Sequence, residues 1–385
     1  MFFKHKNNNS YIQLTNTPEG IILGEINGKH VCKANDTRGQ NYIVYDSKLT
    51  NAKQTYVIPN IQARIEKNES YIVYDPTGDI YDNTKLAAEQ KGYTIQVLDL
   101  SDQSAGWNPL DFISRCDDFY KDIALTLYAR SIFVNASSKE PFYDASELCL
   151  LKAIILYVLE SDEPNTMGIV YDTLSKIVSD KKMTSKLNEL SPAHPAYENW
   201  KLFESAGAFK TQISQSVLLK LKPLTENNIR KILSKNDIDI PAHRDGKHAT
   251  YIKTNNKLLT GMFFSMALEE LLYETRDICT DQYIYFFFTE IEDMGTIIDL
   301  RDIIANNRKR GISISILTKS WECMSESYER DAPFITSLCD WVLYNLSDDY
   351  IKAIIQELDT SKKILSEFTE GKIILKILNK VTMLD

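Results

Sequence analysis

Glycine is scarce in this chain. Its 14 residues among 385 are about half the usual 7% share. Loops that wrap backbone around a phosphate need glycine, so this shortage bears on any nucleotide-binding reading. No two of the six cysteines (Cys32, Cys116, Cys149, Cys279, Cys323 and Cys339) form a C-x-x-C pair. That argues against a zinc knuckle or a disulfide framework, and buried free thiols in a reducing compartment are expected. Long apolar runs are missing too. The most apolar stretch, 148–159, is interrupted by Lys152 and falls short of the ~18 residues of a membrane span. The first six residues, Met1-Phe2-Phe3-Lys4-His5-Lys6, lack a signal-peptide core. A basic excess is also absent. Lysine and arginine number 44 against 53 acids, a net charge of −9. Tight sequence-independent DNA binding by the whole surface is therefore disfavoured.

What is present is ordinary soluble composition, 43% hydrophobic and 25% charged, in a chain long enough for a sizeable core. A polar opening, Asn7-Asn8-Asn9-Ser10, precedes two apolar runs around Asn27-Gly28, a hairpin signal. Strand-like runs recur at 42–45, 71–74 and 95–98, with a helix predicted over 84–91. Strand–helix–strand order favours a parallel sheet. From 117 to about 205 the pattern is helical. A second helical stretch, 211–232, breaks at Pro223 and carries Lys210, Lys220, Lys222, Arg230 and Lys231. Those cations read equally as phosphate contacts or, interleaved with Leu218, Leu219 and Leu221, as the solvated face of an amphipathic helix. Strands resume at 249–252, 283–288, 312–317, 341–344 and 373–375, with helices over 258–273 and 297–307. The pattern predicts a doubly wound, mostly parallel α/β sheet interrupted by an all-helical insertion. Divided by texture, the chain reads as 1–112, 113–208 and 209–385.

Ligands bind at strand ends in such sheets. Four of those ends carry motifs. They are Asp46-Ser47-Lys48-Leu49-Thr50-Asn51-Ala52-Lys53 before Ile58-Pro59-Asn60; Asp75-Pro76-Thr77-Gly78-Asp79; Thr289-Glu290-Ile291-Glu292-Asp293; and Thr318-Lys319-Ser320. With Trp107-Asn108-Pro109-Leu110, Glu140-Pro141-Phe142-Tyr143 and Arg308-Lys309-Arg310-Gly311-Ile312, they make the chain resemble the TraG/TraD-type coupling proteins of type IV secretion and conjugation. The resemblance runs from about residue 20 to about 358. It implies a RecA-like sheet of the P-loop NTPase type with an all-helical inserted domain.

The departures from that family matter as much. The family carries G-x-x-G-x-G-K-[ST] before I-P-N. Anchored on Ile58-Pro59-Asn60, its glycines fall at Asp46, Leu49 and Asn51, its lysine at Ala52 and its hydroxyl residue at Lys53. A phosphate nest needs inward backbone N–H groups, a lysine on the β/γ-phosphates and a hydroxyl on magnesium. Asp46 adds negative charge instead. Lys53 stands one residue, about 100°, away from the needed direction, and Lys48 is an improvised substitute. The family's metal-supporting D-E reads Thr289-Glu290, and its Q-S reads Lys319-Ser320.

These losses predict a pseudo-ATPase that takes no nucleotide, magnesium or other metal. It would be an adaptor or accessory subunit working with secretion components, a relaxase, a paralogous coupling protein or, weakly, DNA. Its expected place is cytoplasmic, at the inner face of the membrane through partners or an anchor outside this sequence. The alternative is a DNA-translocating ATPase with an unconventional phosphate site built on Lys48 or Lys53, in which Glu290 positions a water. Arg308 and Arg310 align with a region that reaches a neighbouring subunit in ring ATPases, or they serve a helix end and solubility. Asp75 and Asp79 read as part of the phosphate site or as helix caps. Glu290, Glu292 and Asp293 together read as a solvated acidic turn. His243 and His248 lack a metal-ligand pattern.

Overall fold

The computed structural model describes residues 12–15, 20–26, 28–33, 40–102, 105–136, 144–280, 282–344, 373–377 and 380–384. The opening asparagines, Asn27 and the motif Glu140-Pro141-Phe142-Tyr143 lie outside them. Two sheets form. The small one holds β1 (Ile12–Thr15), β2 (Ile22–Ile26) and β3 (Lys29–Lys33), antiparallel in the order β1-β3-β2. β2 and β3 are the hairpin expected around Gly28; β1, Ile-Gln-Leu-Thr, is too short and mixed to announce itself.

The main sheet begins with β4 (Tyr42–Tyr45), which leads through a helical stretch to β5. That stretch comprises α1 (Thr50–Ala52), a π turn (Lys53–Val57) and α2 (Ile58–Glu66). β5 (Ser70–Tyr74), α3 (Asp79–Gln90) and β6 (Thr94–Asp99) follow. Among the described residues only helices then follow until β7: α4 (Pro109–Arg115), α5 (Asp118–Asn135), α6 (Asp144–Leu159), α7 (Met167–Ser179), α8 (Lys181–Asn188), α9 (Tyr197–Glu204), α10 (Lys210–Leu221) and α11 (Asn227–Ile232). β7 (His248–Lys253), α12 (Lys257–Glu274), β8 (Ile284–Phe288), α13 (Leu300–Asn306), β9 (Ile312–Thr318), α14 (Trp321–Tyr328), α15 (Ala332–Ser337) and β10 (Asp340–Leu343) restore the α/β alternation. β11 (Ile373–Ile377) and β12 (Lys380–Leu384) close one edge.

The order is β12-β11-β10-β4-β9-β8-β5-β7-β6. The seven strands from β10 to β6 run parallel, and β11 and β12 return antiparallel. The apolar runs are continuous because both faces are covered. Ile43, Ile72, Phe286 and Ile314 face α12 and the insertion, while Val44, Val73, Phe287 and Leu317 face the side of α2. This wraps the C-terminal ends of β4, β9, β8 and β5 into one neighbourhood, where the four motifs converge.

Pro223 breaks the long helical stretch between α10 and α11, as read from the sequence. The basic face expected there is only partly solvated. Lys220 is buried and ion-paired to buried Glu147, and Arg230 pairs with Asp172 at 2.5 Å. Cys32, Cys116 and Cys339 are buried, while Cys279 is exposed, against expectation.

Candidate functional site

The loop after β4 is occupied by its own first residue. Asp46 N–H donates to the Thr318 carbonyl at 3.1 Å, extending the ladder to β9 by one rung. Its side chain is fully buried and accepts the N–H groups of Ala52 at 2.8 Å and Lys48 at 3.3 Å. The N–H groups at the start of a helix are the donors an anion would take; here a side-chain carboxylate takes two of those in the loop. Leu49 N–H donates to the Asp46 carbonyl at 3.0 Å, tightening the turn. Leu49 has φ 57°, a left-handed conformation that costs a residue with a Cβ roughly 1–2 kcal/mol. The backbone thus makes a glycine-type bend at a residue that carries a side chain.

Lys53, one turn into the helical stretch, forms an ion pair with Glu290 at the end of β8, both side chains largely buried. Although its Cα is rotated away from the expected direction, the long lysine stem reaches the β8 acid. Thr289, also buried, donates its hydroxyl to the Tyr74 carbonyl at 2.6 Å. The Thr289 hydroxyl is thereby committed to the backbone of β5.

The turn 290–293 is not the solvated acidic turn expected. Lys319 Nζ lies 3.3 Å from Glu292 and 3.9 Å from Asp293. Lys257 Nζ lies 3.3 Å from Asp293 and donates to the Glu292 carbonyl at 2.7 Å. Burial raises the Glu292 carboxyl above its ordinary range, with Lys319 opposing. For Lys319, burial works against the charge, but the Glu292 carboxylate outweighs it and the ammonium is held above its usual value. Burial, with Glu290 adding to it, likewise raises the Tyr74 phenol. Three lysines from three elements therefore face three carboxylates on one turn. Lys257 carried no sequence signal, because topology alone brings α12 to the β8 end.

Asp75 at the end of β5 is buried and caps α3, accepting from Tyr81 N–H at 2.8 Å and Ile80 N–H at 3.2 Å. Burial raises its carboxyl despite those bonds. Asp79 accepts from the Thr77 hydroxyl at 2.7 Å. Asn60 clamps the small sheet, accepting Ile22 N–H at 2.9 Å and donating to the carbonyls of Ile22 and Tyr56 at 2.7 and 2.8 Å. The I-P-N motif is thus a structural staple.

Arg308 and Arg310 lie before β9, at the opposite end of the strands. One strand length, roughly 20 Å, separates them from the loop. Arg310 donates to the Thr275 carbonyl, closing α12. His243 is buried between the carbonyls of Asp239 and Ile240 and the Thr250 hydroxyl, and burial lowers it to about 4. Among the described residues no three His, Cys, Asp or Glu side chains are grouped to hold a metal, and no helix is long and apolar enough to cross a membrane.

A family model described as "Type IV secretory system Conjugative DNA transfer" matches residues 27–365. Among solved structures, the plasmid coupling protein TrwB in complex with ADP and magnesium superposes with a TM-score of 0.65. It covers 95% of this chain and 90% of that one at 11% identity. A trigonal form of TrwB in complex with sulphate gives 0.59, with 91% and 78% covered at 12% identity. VirB4 of Thermoanaerobacter pseudethanolicus gives 0.62, with 97% of both chains covered at 11% identity. No curated protein matches by sequence. At these identities the shared property is the fold, a RecA-like sheet with an all-helical inserted domain.

Proposed function

The chain belongs to the type IV secretory system conjugative DNA transfer family, and from that premise we propose that it is a coupling-protein homologue without a working nucleotide site. On this reading it acts as an adaptor or accessory subunit in DNA or protein transfer, beside secretion components, a relaxase or a paralogous coupling protein. The observation that carries the reading is the Asp46 carboxylate on the N–H groups of Ala52 and Lys48. A phosphate oxygen seeking those donors would meet a buried negative charge. The position aligned with the phosphate-binding lysine is Ala52, which has no amine, and Lys53, in the hydroxyl's place, is paired to Glu290. These residues do not fit a magnesium-bound triphosphate.

Isothermal calorimetry tests this directly. No saturable heat is expected with Mg-ATP up to about 1 mM, and a micromolar Kd would overturn the reading. The alternative, a working ATPase, needs Glu290 free to orient water. Magnesium-dependent phosphate release lost on Glu290→Gln would establish it. Arg308 and Arg310, at the far end of the strands, act in this proposal toward a neighbouring subunit or serve a helix end and solubility. The same proposal divides the chain into 1–112, 113–208 and 209–385, with the helical middle contacting cargo.

A further inference from the structure

The chain leaves and re-enters the sheet through a stem, where the Trp107-Asn108-Pro109-Leu110 motif sits. Trp107 N–H donates to the Ile232 carbonyl at 2.9 Å, and Asp237 N–H donates to the Gly106 carbonyl at 2.9 Å. Gly106 N–H returns a bond to the Asp237 carboxylate at 2.8 Å. A Cβ on Gly106 would stand 2.4 Å from the Lys235 Cβ and 2.6 Å from the Ile232 carbonyl, so only glycine lets the two segments run this close. Beside this crossing lies a cavity of about 370 Å³, at the lower end of small-molecule sites.

Its walls are of two kinds. Trp107 and Phe112 line its apolar side, each only 3% exposed. Asp111, Asp239 and Glu270 supply carboxylates against one guanidinium, Arg115. Arg115 spans two of them, with Nη2 2.5 Å from Glu270 Oε1 and Nε 3.0 Å from Asp111 Oδ2. Glu270 is 4% exposed, and among the described residues its Oε2 accepts no hydrogen bond. Burial pushes its carboxyl up to about 7 in spite of Arg115, so one guanidinium under-compensates it.

We propose that this stem pocket binds a guanidinium or amidinium group carried on a flat apolar body. Such a fork is planar, permanently charged and shaped to meet a carboxylate edge-on, and its faces stack on aromatic rings. The open oxygen of Glu270 and the Asp239 carboxylate supply acceptors, and Trp107 and Phe112 border the cavity on its apolar side. An occupant would touch both limbs of the stem, tying the helical insertion to the sheet independently of nucleotide.

The probes are benzamidine and its neutral analogue benzamide, titrated into the full chain by calorimetry and ligand-observed NMR. Benzamidine is expected to saturate with a Kd near or below about 1 mM and benzamide to bind at least about tenfold more weakly. Glu270→Gln should weaken benzamidine at least about tenfold. Asn236→Trp, at the exposed mouth, should abolish binding. Affinity should rise from pH 6 to pH 8 as Glu270 ionises; Arg115 and Asp111 face it from α4, Glu274 shares its helix, and Asp239 faces it from the segment before β7. Equal affinity for the two probes would overturn the proposal. So would no benzamidine binding at about 10 mM by a chain with a native melt, or undiminished binding in both variants. Should Glu270→Gln not fold, Asn236→Trp and Asp239→Asn, both at exposed positions, decide in its place.

Discussion

Asp46 is buried and satisfies two backbone donors, so replacing it exposes its local role. Asp46→Ala should cost about 1–2 kcal/mol, as loss of a helix-start acceptor does, and Asp46→Asn, which keeps an acceptor, distinctly less. Urea unfolding followed by circular dichroism measures both. Asp46→Gly should still not bind Mg-ATP in calorimetry, because Ala52 supplies no amine. Lys53 and Glu290 form the second test. Lys53→Met alone leaves a largely buried carboxylate uncompensated and should destabilise by about 2–3 kcal/mol. Adding Glu290→Gln should recover part of that, with a coupling of about 1–2 kcal/mol in a double-mutant cycle. A coupling of zero would remove the pair from the account of the site. Anchoring on Ile58-Pro59-Asn60 placed Lys53 in the segment after β4, where the structure has it. The partner of Lys53 was not legible, because a four-carbon stem can span a 100° displacement of its Cα, and spacing records only the displacement.

Strands were the most legible elements, since a sheet covered on both faces writes continuous apolar runs such as Ile-Tyr-Phe-Phe-Phe in β8. Helix starts were less so. The expected helix at 84–91 begins at Asp79, with Asp75, read from the sequence as a candidate cap, accepting its first N–H groups from four residues before the first helical position. Asn60 belongs to this scale as well. It makes three hydrogen bonds and holds β2 against the helical stretch after β4, so Asn60→Ala should cost about 2–3 kcal/mol. Hydrogen exchange by mass spectrometry should show faster exchange across β2 and β3 with little change in β8. Uniform acceleration of both sheets would mean that the small sheet is not separately held by this residue.

The whole molecule links stability to pH at the insertion's stem. The Glu270 carboxyl, ordinarily at 4.5, is raised to about 7 in the folded chain. Between those values the folded chain retains a proton that the unfolded chain has released. Its contribution is therefore full below 4.5, falls as pH rises and is gone above 7. Wild-type stability relative to Glu270→Gln should drop by about 1–3 kcal/mol across that window and stay level beyond it, as urea midpoints at a series of pH values would report. Net charge of −9 bears on DNA at the same scale. Mobility shifts at physiological salt should give a Kd weaker than about 1 µM, weakening further as salt rises. Charge and fold class were open to inspection from composition and order alone. The lysine–carboxylate turn at 290–293 was not, because Lys53, Lys257 and Lys319 reach it from elements far apart in the chain.

The internal anion at position 46 has a consequence for timing. On the function proposed above, a fold that answers its own loop has no reason to swing with the energy charge of the cell. Set among neighbours that fire and reset, this chain would be the one that keeps still: a stationary shoulder, lending its flanks to others' strokes and marking one fixed place in their sequence.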